Sequence, residues 1–449
     1  MTWHLIGIGG AGMSVIAALL VARGETVSGS DQRDGAVLAA LRERGVRVHV
    51  GHAAAHVEQL PEDAVVVVSS AVRSSNPELA AARSLGLRVL HRSQALAHLM
   101  SGHRVVAVAG AHGKTTTSAM LAVALREAGA APSFAIGAPV RGGDPLSGAG
   151  AGQGRDFVAE ADESDGSFLA YEPFVALVTN VEPDHLDHFG SREAFEEVFA
   201  EFAARVRPEG ALVACLDDPG ARRLAERVRA EGRRVVTYGT APDADVLLDL
   251  AAREVRGTTG RARLELAVPG EHNLLNATGA LAALEVLGLD AATAAHGLAA
   301  FRGTGRRFEE RGAVGGVRVV DDYAHHPTEV RALLRAAREV AGDGRVLVLF
   351  QPHLFSRTAH FAEEFAAALS LADLAVVSDV YAAREDPLPG VSGETITRHL
   401  PGALFVADRH EAALHLAAQA RPGDLVLTVG AGDVTELGPV ILAALEGER

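Results

Sequence analysis

The sequence predicts an α/β protein built of three domains, each a parallel sheet flanked by helices. Short apolar runs alternate with amphipathic stretches along the chain, which is the rhythm of βαβ units. Polar and glycine-containing turns follow those runs, as they do where ligands bind beyond the carboxyl ends of parallel strands. At 449 residues the chain has room for three domains of about 150 residues, each able to bury its own core.

Taken in order, strand-like runs at residues 4–8, 26–29 and 65–69 surround a helical stretch at 14–23. A second unit begins at residues 105–108, with further buried-strand runs at 157–159 and 175–178. Its glycine-rich stretch, residues 142–154, reads as mobile surface chain. After Gly303-Thr304-Gly305 a third unit carries strands at 317–320, 345–350, 374–378 and 425–429, with an amphipathic helix at 361–369. The polar clusters after these strands, at 69–70, 110–117, 160–165, 182–185, 351–353 and 430–433, point to one cleft shared by three domains.

Composition narrows the partners. The balance of 42 basic and 57 acidic residues gives a net charge of -15, which argues against a broad nucleic-acid or acidic-membrane surface. Anionic substrates must then be met by local sites. The single cysteine, Cys215, excludes an internal disulfide and reads as a core thiol beside the run 211–214. No signal-like leader precedes Trp3-His4-Leu5-Ile6-Gly7, and no uncharged apolar run reaches about 18 residues, so a cytoplasmic, non-membrane protein is expected.

The chemistry concentrates in a few motifs. After the second unit's first strand comes Gly110-Ala111-His112-Gly113-Lys114-Thr115-Thr116-Thr117, leading into a helical pattern at 118–128. Backbone amides of such a loop and the following helix N-terminus cradle phosphates, the lysine neutralises them, and the threonine offers a hydroxyl to Mg²⁺. The loop is shorter than the strict G-x-x-x-x-G-K-[ST] pattern, with Val108 where that pattern has its first glycine. Lys114 is also the only lysine among 42 basic residues, the other 41 being arginine. A compact ammonium enters a tight phosphate cradle that a planar guanidinium fits poorly.

Gly7-Ile8-Gly9-Gly10-Ala11-Gly12 matches G-x-G-x-x-G between a strand and a helix, with Asp31 at the end of the next strand. Alone this suggests NAD, but the same turn holds any pyrophosphate, UDP-sugars included. Glu160, in the run 160–165, and His185 are candidates to complete a metal site, although Mg²⁺ prefers oxygen donors and the acidic run could be a solvated loop. Asn273 and Asn276 form a pair of amides suited to an adenine edge. Arg306-Arg307 suits phosphates, and Asp322 with His325-His326 suits ribose and phosphate oxygens. Each of these clusters could equally be a helix cap or a surface group.

In sequence order these motifs resemble the Mur ligase family, from Gly7 to about Gly432. The resemblance implies a three-domain Mur ligase architecture. Residues 1–101 would be a Rossmann-like domain for a UDP-sugar, 102–304 a central P-loop ATPase domain, and 305–449 a Rossmann-like domain that brings in the amino acid. It implies ATP and Mg²⁺ as cofactors. Gly110, Ala111, His112, Gly113, Lys114, Thr115 and Thr116 would hold ATP phosphates, while Thr115, Glu160 and His185 would hold the metal. Asn273 and Asn276 would meet adenine, Asp322 the ribose, and Arg306 and His325 the nucleotide phosphates. Gly9, Gly10, Ala11, Gly12, Asp31, Ser69 and Ser70 would face the UDP-sugar, and His353 and Arg357 the amino acid.

Within the family, Gly10-Ala11-Gly12-Met13-Ser14 looks like the alanine-adding member rather than the murein tripeptide-recycling ligase. That implies UDP-N-acetylmuramate and L-alanine as substrates, no nucleic-acid or membrane partner, and a monomer or homodimer. Two departures stand out: Ala111 where the family's loop often has threonine, and Leu354 after His353 where several members place a basic residue. The second leaves Arg357 as the partner for the amino-acid carboxylate. A chain with one lysine also cannot supply the carbamoylated lysine that some relatives place near their metal.

Overall fold

In a computed structural model, the described residues are 1–140, 146–182, 189–383 and 385–447. Among them the strands form three sheets of five, ten and six, and no helix is long and apolar enough to cross a membrane. The chain divides into two compact units, residues 1–267 with 274–302, and residues 268–273 with 303–449.

The first unit carries two sheets. One comprises β1 (Thr2–Ile6), β2 (Thr26–Asp31), β3 (Arg47–Val50), β4 (Val65–Val68) and β5 (Arg88–His91), in the order β3-β2-β1-β4-β5. All its pairings are parallel. The order reverses between β1 and β4, where a parallel sheet opens a crevice at its carboxyl edge.

The other sheet is centred on β6 (Arg104–Ala109). It continues through β7 (Ser133–Ala135), β8 (Ala149–Gly150), β9 (Asp156–Glu160), β10 (Val175–Val178), β11 (Ala211–Cys215), β12 (Val235–Gly239), β13 (Val246–Asp249), β14 (Glu254–Arg256) and β15 (Arg261–Arg263). Its order is β15-β14-β13-β12-β11-β10-β6-β9-β7-β8, so β6 lies between β10 and β9 and pairs with both in parallel. β6 and β10 are apolar and almost wholly buried, as strands covered on both faces must be. Cys215 ends β11 with 1% exposure, and burial pushes its thiol up to about 12, as a core thiol should behave.

The second unit carries β16 (Glu309–Val314), β17 (Val317–Asp322), β18 (Val346–Phe350), β19 (Leu374–Val377), β20 (Leu404–Phe405) and β21 (Leu425–Val429), in the order β16-β17-β21-β18-β19-β20. Apolar clusters cover both faces of this sheet. Leu334, Phe350 and Phe365 sit in one, and Leu349, Leu416 and Ile441 in the other.

The structure adds to the sequence reading at three places. The helices after the two glycine turns start earlier than their apolar periodicity suggests, at Ala11 and Lys114, because glycine and a threonine run hide the first turn. The antiparallel arm β13-β14-β15 was not legible as strands. The glycine-rich stretch 142–154 is largely surface chain where it is described, with its glycines set close against residues 130–138. A Cβ on Gly150 would lie 2.1 Å from the Phe134 ring, and one on Gly152 would lie 2.0 Å from the Ala131 carbonyl. These glycines serve close approach rather than freedom; residues 141–145 fall outside the described chain.

Candidate active site

Three neighbouring parallel strands place the central constellation. The phosphate-type loop follows β6, the acidic run follows β9, and Thr179-Asn180 follows β10. The loop ends at Gly113, whose φ of 84° lies in the left-handed region, and the helix Lys114–Glu127 has no side-chain cap. The helix Ala11–Ala22 after the other glycine turn is likewise uncapped. Asn76, Ser191, Asp218, Asp290 and Asp408 cap other helices, while Ala36–Glu43 and Ala362–Leu369 also lack a side-chain cap. Uncapped amides at a helix N-terminus are the donors an anion needs.

The loop is held from beneath. The Asn180 amide accepts from His112 N–H at 3.1 Å and donates to the His112 carbonyl at 3.0 Å. The Thr179 hydroxyl donates to that same carbonyl at 2.5 Å. Gly110 has φ +129, and a Cβ there would come within 2.2 Å of the Thr179 hydroxyl oxygen; a Cβ on Gly113 would come within 2.7 Å of Asn276 Oδ1. The loop therefore closes onto Thr179, Asn180 and Asn276 with no space to spare. The His112 ring meets Glu182 at 3.1 Å, and Thr116 is buried in the first helical turn.

Lys114 Nζ donates to the Gly110 carbonyl at 2.7 Å, the Ala111 carbonyl at 3.3 Å and Glu163 Oε1 at 2.8 Å. Burial opposes its charge, but Glu163, Asp162 and Glu160 outweigh burial and hold the ammonium above its ordinary range. Burial pushes the Glu163 carboxyl up to about 7, with Lys114 pulling against it. The Thr115 hydroxyl donates to Glu160 Oε1 at 2.9 Å, and Gly137 N–H donates to Glu160 Oε2 at 2.8 Å. Two of the three expected metal ligands are thus adjacent oxygen donors; the third, His185, lies outside the described residues.

The acidic run also reaches the first sheet. Asp162 pairs with Arg92 at 2.6 Å. Burial works against the Asp162 charge, but Lys114 and Arg92 hold its carboxyl well below the usual range. Ser70 donates to Asp165 and meets His91 at 3.1 Å. A Cβ on Gly12 would lie 3.2 Å from an Arg92 guanidinium nitrogen, so Arg92 bridges the glycine turn and the acidic run. At that turn Gly7 and Ile8 donate to the Ser30 carbonyl at 2.8 and 2.9 Å, Gly10 N–H donates to the Gly7 carbonyl, and Gly9 N–H donates to Asp31 at 2.9 Å. Ala11 opens the helix, and Ser69 lies just past β4.

In the second unit the clusters after β17, β18 and β21, which are neighbours in that sheet, converge. Asp322 accepts from Phe308 N–H at 2.7 Å and Ala324 N–H at 2.8 Å, and burial pushes its carboxyl up to about 6. His325 Nδ1 meets the Tyr323 carbonyl at 3.0 Å, and burial takes its imidazole down to about 3. The His325 and His353 rings lie 5.8 Å apart, and Arg357 reaches His353 at 3.4 Å.

Arg306 and Asn273, like Lys114 and Asp322, are engaged within the protein. The Arg306 guanidinium bonds the carbonyls of Gly430 at 2.6 Å and Gly432 at 3.2 Å, and reaches Asp321 at 3.3 Å. The Asn273 amide donates to the Pro269 carbonyl at 2.6 Å. Arg92, Asp162, Glu163, Thr179 and Asn180 were not singled out from sequence. Asn180 carried one signal, a polar pair directly after a buried strand, whereas nothing local marks Arg92.

A sheet with a lysine-bearing glycine loop at its centre, a carboxylate-held threonine behind the lysine and a further α/β sheet before and after it defines an enzyme of the nucleotide-phosphate-loop class. Three family patterns match the chain: Mur ligase family, catalytic domain, over residues 2–104; Mur ligase middle domain over 108–284; and Mur ligase, glutamate ligase domain, over 306–432. The chain belongs to the Mur ligase family. It is 59% identical to a UDP-N-acetylmuramate–L-alanine ligase of Kineococcus radiotolerans, over 98% of this chain and 96% of that one. It is 57% identical to the protein of that name from Renibacterium salmoninarum, over 98% and 95%. Among solved structures it resembles the UDP-N-acetylmuramate-alanine ligase of Thermotoga maritima, with TM-score 0.80, 29% identity and 100% coverage of both chains. It also resembles a murein peptide ligase of Psychrobacter arcticus, with TM-score 0.72, 26% identity and coverage of 99% and 98%.

Proposed function

We propose that this chain is an ATP-dependent, ADP-forming ligase that joins L-alanine to the lactyl carboxylate of UDP-N-acetylmuramate, a step of peptidoglycan precursor synthesis in the cytoplasm. The observation that carries the reading is the placement of Lys114. The chain's only lysine stands at an uncapped helix N-terminus beside the Thr115–Glu160 pair. The identity to the alanine-adding relatives sets the substrate pair.

In this reading residues 1–101 bind the UDP-sugar, 102–304 bind ATP and 305–449 bring in the amino acid. The lactyl carboxylate attacks the γ-phosphorus, the bond to the ADP oxygen breaks, and an acyl phosphate forms. The amine of L-alanine then attacks the acyl carbon, phosphate leaves, and the nitrogen loses its proton. A free carboxylate is a poor acylating agent, so phosphorylation precedes the amine.

Two anions approach each other only where fixed positive charge offsets their repulsion. Lys114 supplies that charge by exchanging Glu163 for the transferring phosphate, and the loop amides bind the remaining oxygens. Thr115 and Glu160, with His185, would hold Mg²⁺; the two described ligands are oxygen donors 2.9 Å apart, the donor type this ion prefers. When bound, the ion neutralises phosphate charge. Asn276, Asp322 and His325 are assigned to ATP, and Asp31, Ser69 and Ser70 to the UDP-sugar. His353 and Arg357 are assigned to L-alanine. For Asn273 and Arg306 the assignment requires release from their present partners.

The test is phosphate release from ATP with UDP-N-acetylmuramate and, in turn, L-alanine, glycine, L-serine, D-glutamate and a murein tripeptide. L-Alanine should give the highest turnover. Highest turnover with D-glutamate or the tripeptide would assign the chain to another member of the family.

A further inference from the structure

The most deeply buried carboxylate under the first sheet lies outside every residue assigned above. Glu78, in the first turn of the helix Pro77–Ser84, has no exposed surface. Its carboxylate accepts hydrogen bonds from the Ser30 hydroxyl at 2.5 Å, His56 Nδ1 at 2.6 Å, Ala53 N–H at 3.2 Å and His4 Nε2 at 3.4 Å. His52 Nδ1 lies 2.8 Å from the Ser30 hydroxyl and 3.6 Å from the carboxylate. His4 Nδ1 meets Ser28 at 2.9 Å, and His49 stacks on His56 at 4.0 Å. Burial opposes the charge, yet His4, Ser30 and His56 bring the carboxyl down to about 2.

A core that needed only packing would place an apolar side chain here, since an ion pair at such depth is weak evidence of a stabilising role. What the network does is fix Ser30. The carbonyl of Ser30 takes the amides of Gly7 and Ile8, and the next residue, Asp31, takes that of Gly9. One carboxylate therefore joins β1, β2, residues 52–56 and a helix at the base of the glycine turn.

We infer that Glu78 is a positioning residue for this turn, acting through Ser30 so that the turn, its own amides spent within the protein, aims the uncapped N-terminus of the helix Ala11–Ala22 at the diphosphate of the UDP-sugar. The inference rests on the proposed reading of the turn as the UDP-sugar site.

Calorimetric binding of UDP-N-acetylmuramate to the full chain, together with KM values for it and for ATP, tests the idea with Glu78→Gln, Ser30→Ala, the double variant and Asp31→Ala. Glu78→Gln should weaken UDP-sugar binding on the order of tenfold, the size expected for losing a hydrogen bond to a buried charge, and leave the KM for ATP in place. Ser30→Ala should do the same, and the double variant should be no worse than either single change, because both cut one link. If Glu78→Gln fails to fold, Ser30→Ala, which removes only a hydroxyl, carries the test alone. Wild-type binding in both single variants, or KM values for both substrates rising together, overturns the inference while loss of binding in Asp31→Ala leaves the site reading standing. Undiminished binding in Asp31→Ala overturns the site reading itself.

Discussion

Lys114 Nζ rests 2.8 Å from Glu163 Oε1, and the second oxygen of Glu163 is buried without a hydrogen-bond partner among the described residues. The lysine that should meet a phosphate is thus paired with an acid whose other oxygen is left unsatisfied among the described residues. In the proposed function, arrival of ATP would exchange this partner of the ammonium for a phosphate.

Glu163, already raised with Lys114 present, makes stability fall as pH rises, and removing the lysine should extend that fall to higher pH. In Lys114→Ala the main influence lowering the Glu163 carboxyl is gone while burial and Asp162 still raise it, so its folded pKa lies further above the ordinary value for glutamate than in the wild type. An acid raised on folding contributes its stability below the unfolded pKa, near 4.5, and that contribution is lost as pH rises through the raised value. The loss is about 1.4 kcal/mol per pH unit within that window. Urea unfolding of Lys114→Ala at pH 6 and pH 8 should show a drop in stability, and Lys114→Ala with Glu163→Gln should show none.

Asn180 should matter to ATP and not to the UDP-sugar. Asn180→Ala removes two of the three hydrogen bonds that Thr179 and Asn180 make to the His112 backbone, and displacement of about 1 Å at such a site can cost 10²-fold in rate. Steady-state kinetics should show kcat/KM for ATP falling by about that factor, with calorimetric affinity for the UDP-sugar unchanged.

Gly110 and Gly166 share a positive φ but not a neighbourhood. A Cβ on Gly110 would strike the Thr179 hydroxyl, whereas one on Gly166 meets nothing within 4 Å. Gly166→Ala should cost only the backbone strain, about 1 kcal/mol. Gly110→Ala should cost that plus about 1–3 kcal/mol of overpacking. Thermal unfolding of the two variants checks the ranking.

Glu160 should set the metal requirement. Glu160→Gln keeps the shape and an acceptor for Thr115 but removes the charge that favours a divalent cation. Chelation should abolish wild-type activity, and added Mg²⁺ should restore it. The variant should need at least tenfold more Mg²⁺ for half-maximal rate, in line with the loss of a ligand's charge-assisted contact.

The fold was legible because buried parallel strands write themselves as apolar runs, and residues 175–178 and 425–429 were read with the bounds they have. Lys114, Thr115 and Glu160 could be singled out as candidates because phosphate and metal chemistry restrict residue type and spacing, and the structure places Thr115 against Glu160. Glu163, Asn180 and Arg92 were not, since their roles depend on which strands lie side by side. The order β10-β6-β9 brings the loop, the acidic run and Asn180 together, and no local pattern records that order. The close approach at Gly150 and Gly152 was not legible either, because close approach and freedom use the same residue.

The central claim is that Lys114 holds the phosphate as it transfers. ADP release by Lys114→Ala, with saturating ATP, UDP-N-acetylmuramate, L-alanine and Mg²⁺, tests it most directly, with circular dichroism to show the fold retained. The account predicts a fall in kcat of about 10²–10³ or more, the scale for deleting one preorganised charge-stabilising group, and no recovery in Lys114→Arg. Turnover of Lys114→Ala near the wild-type rate would contradict it.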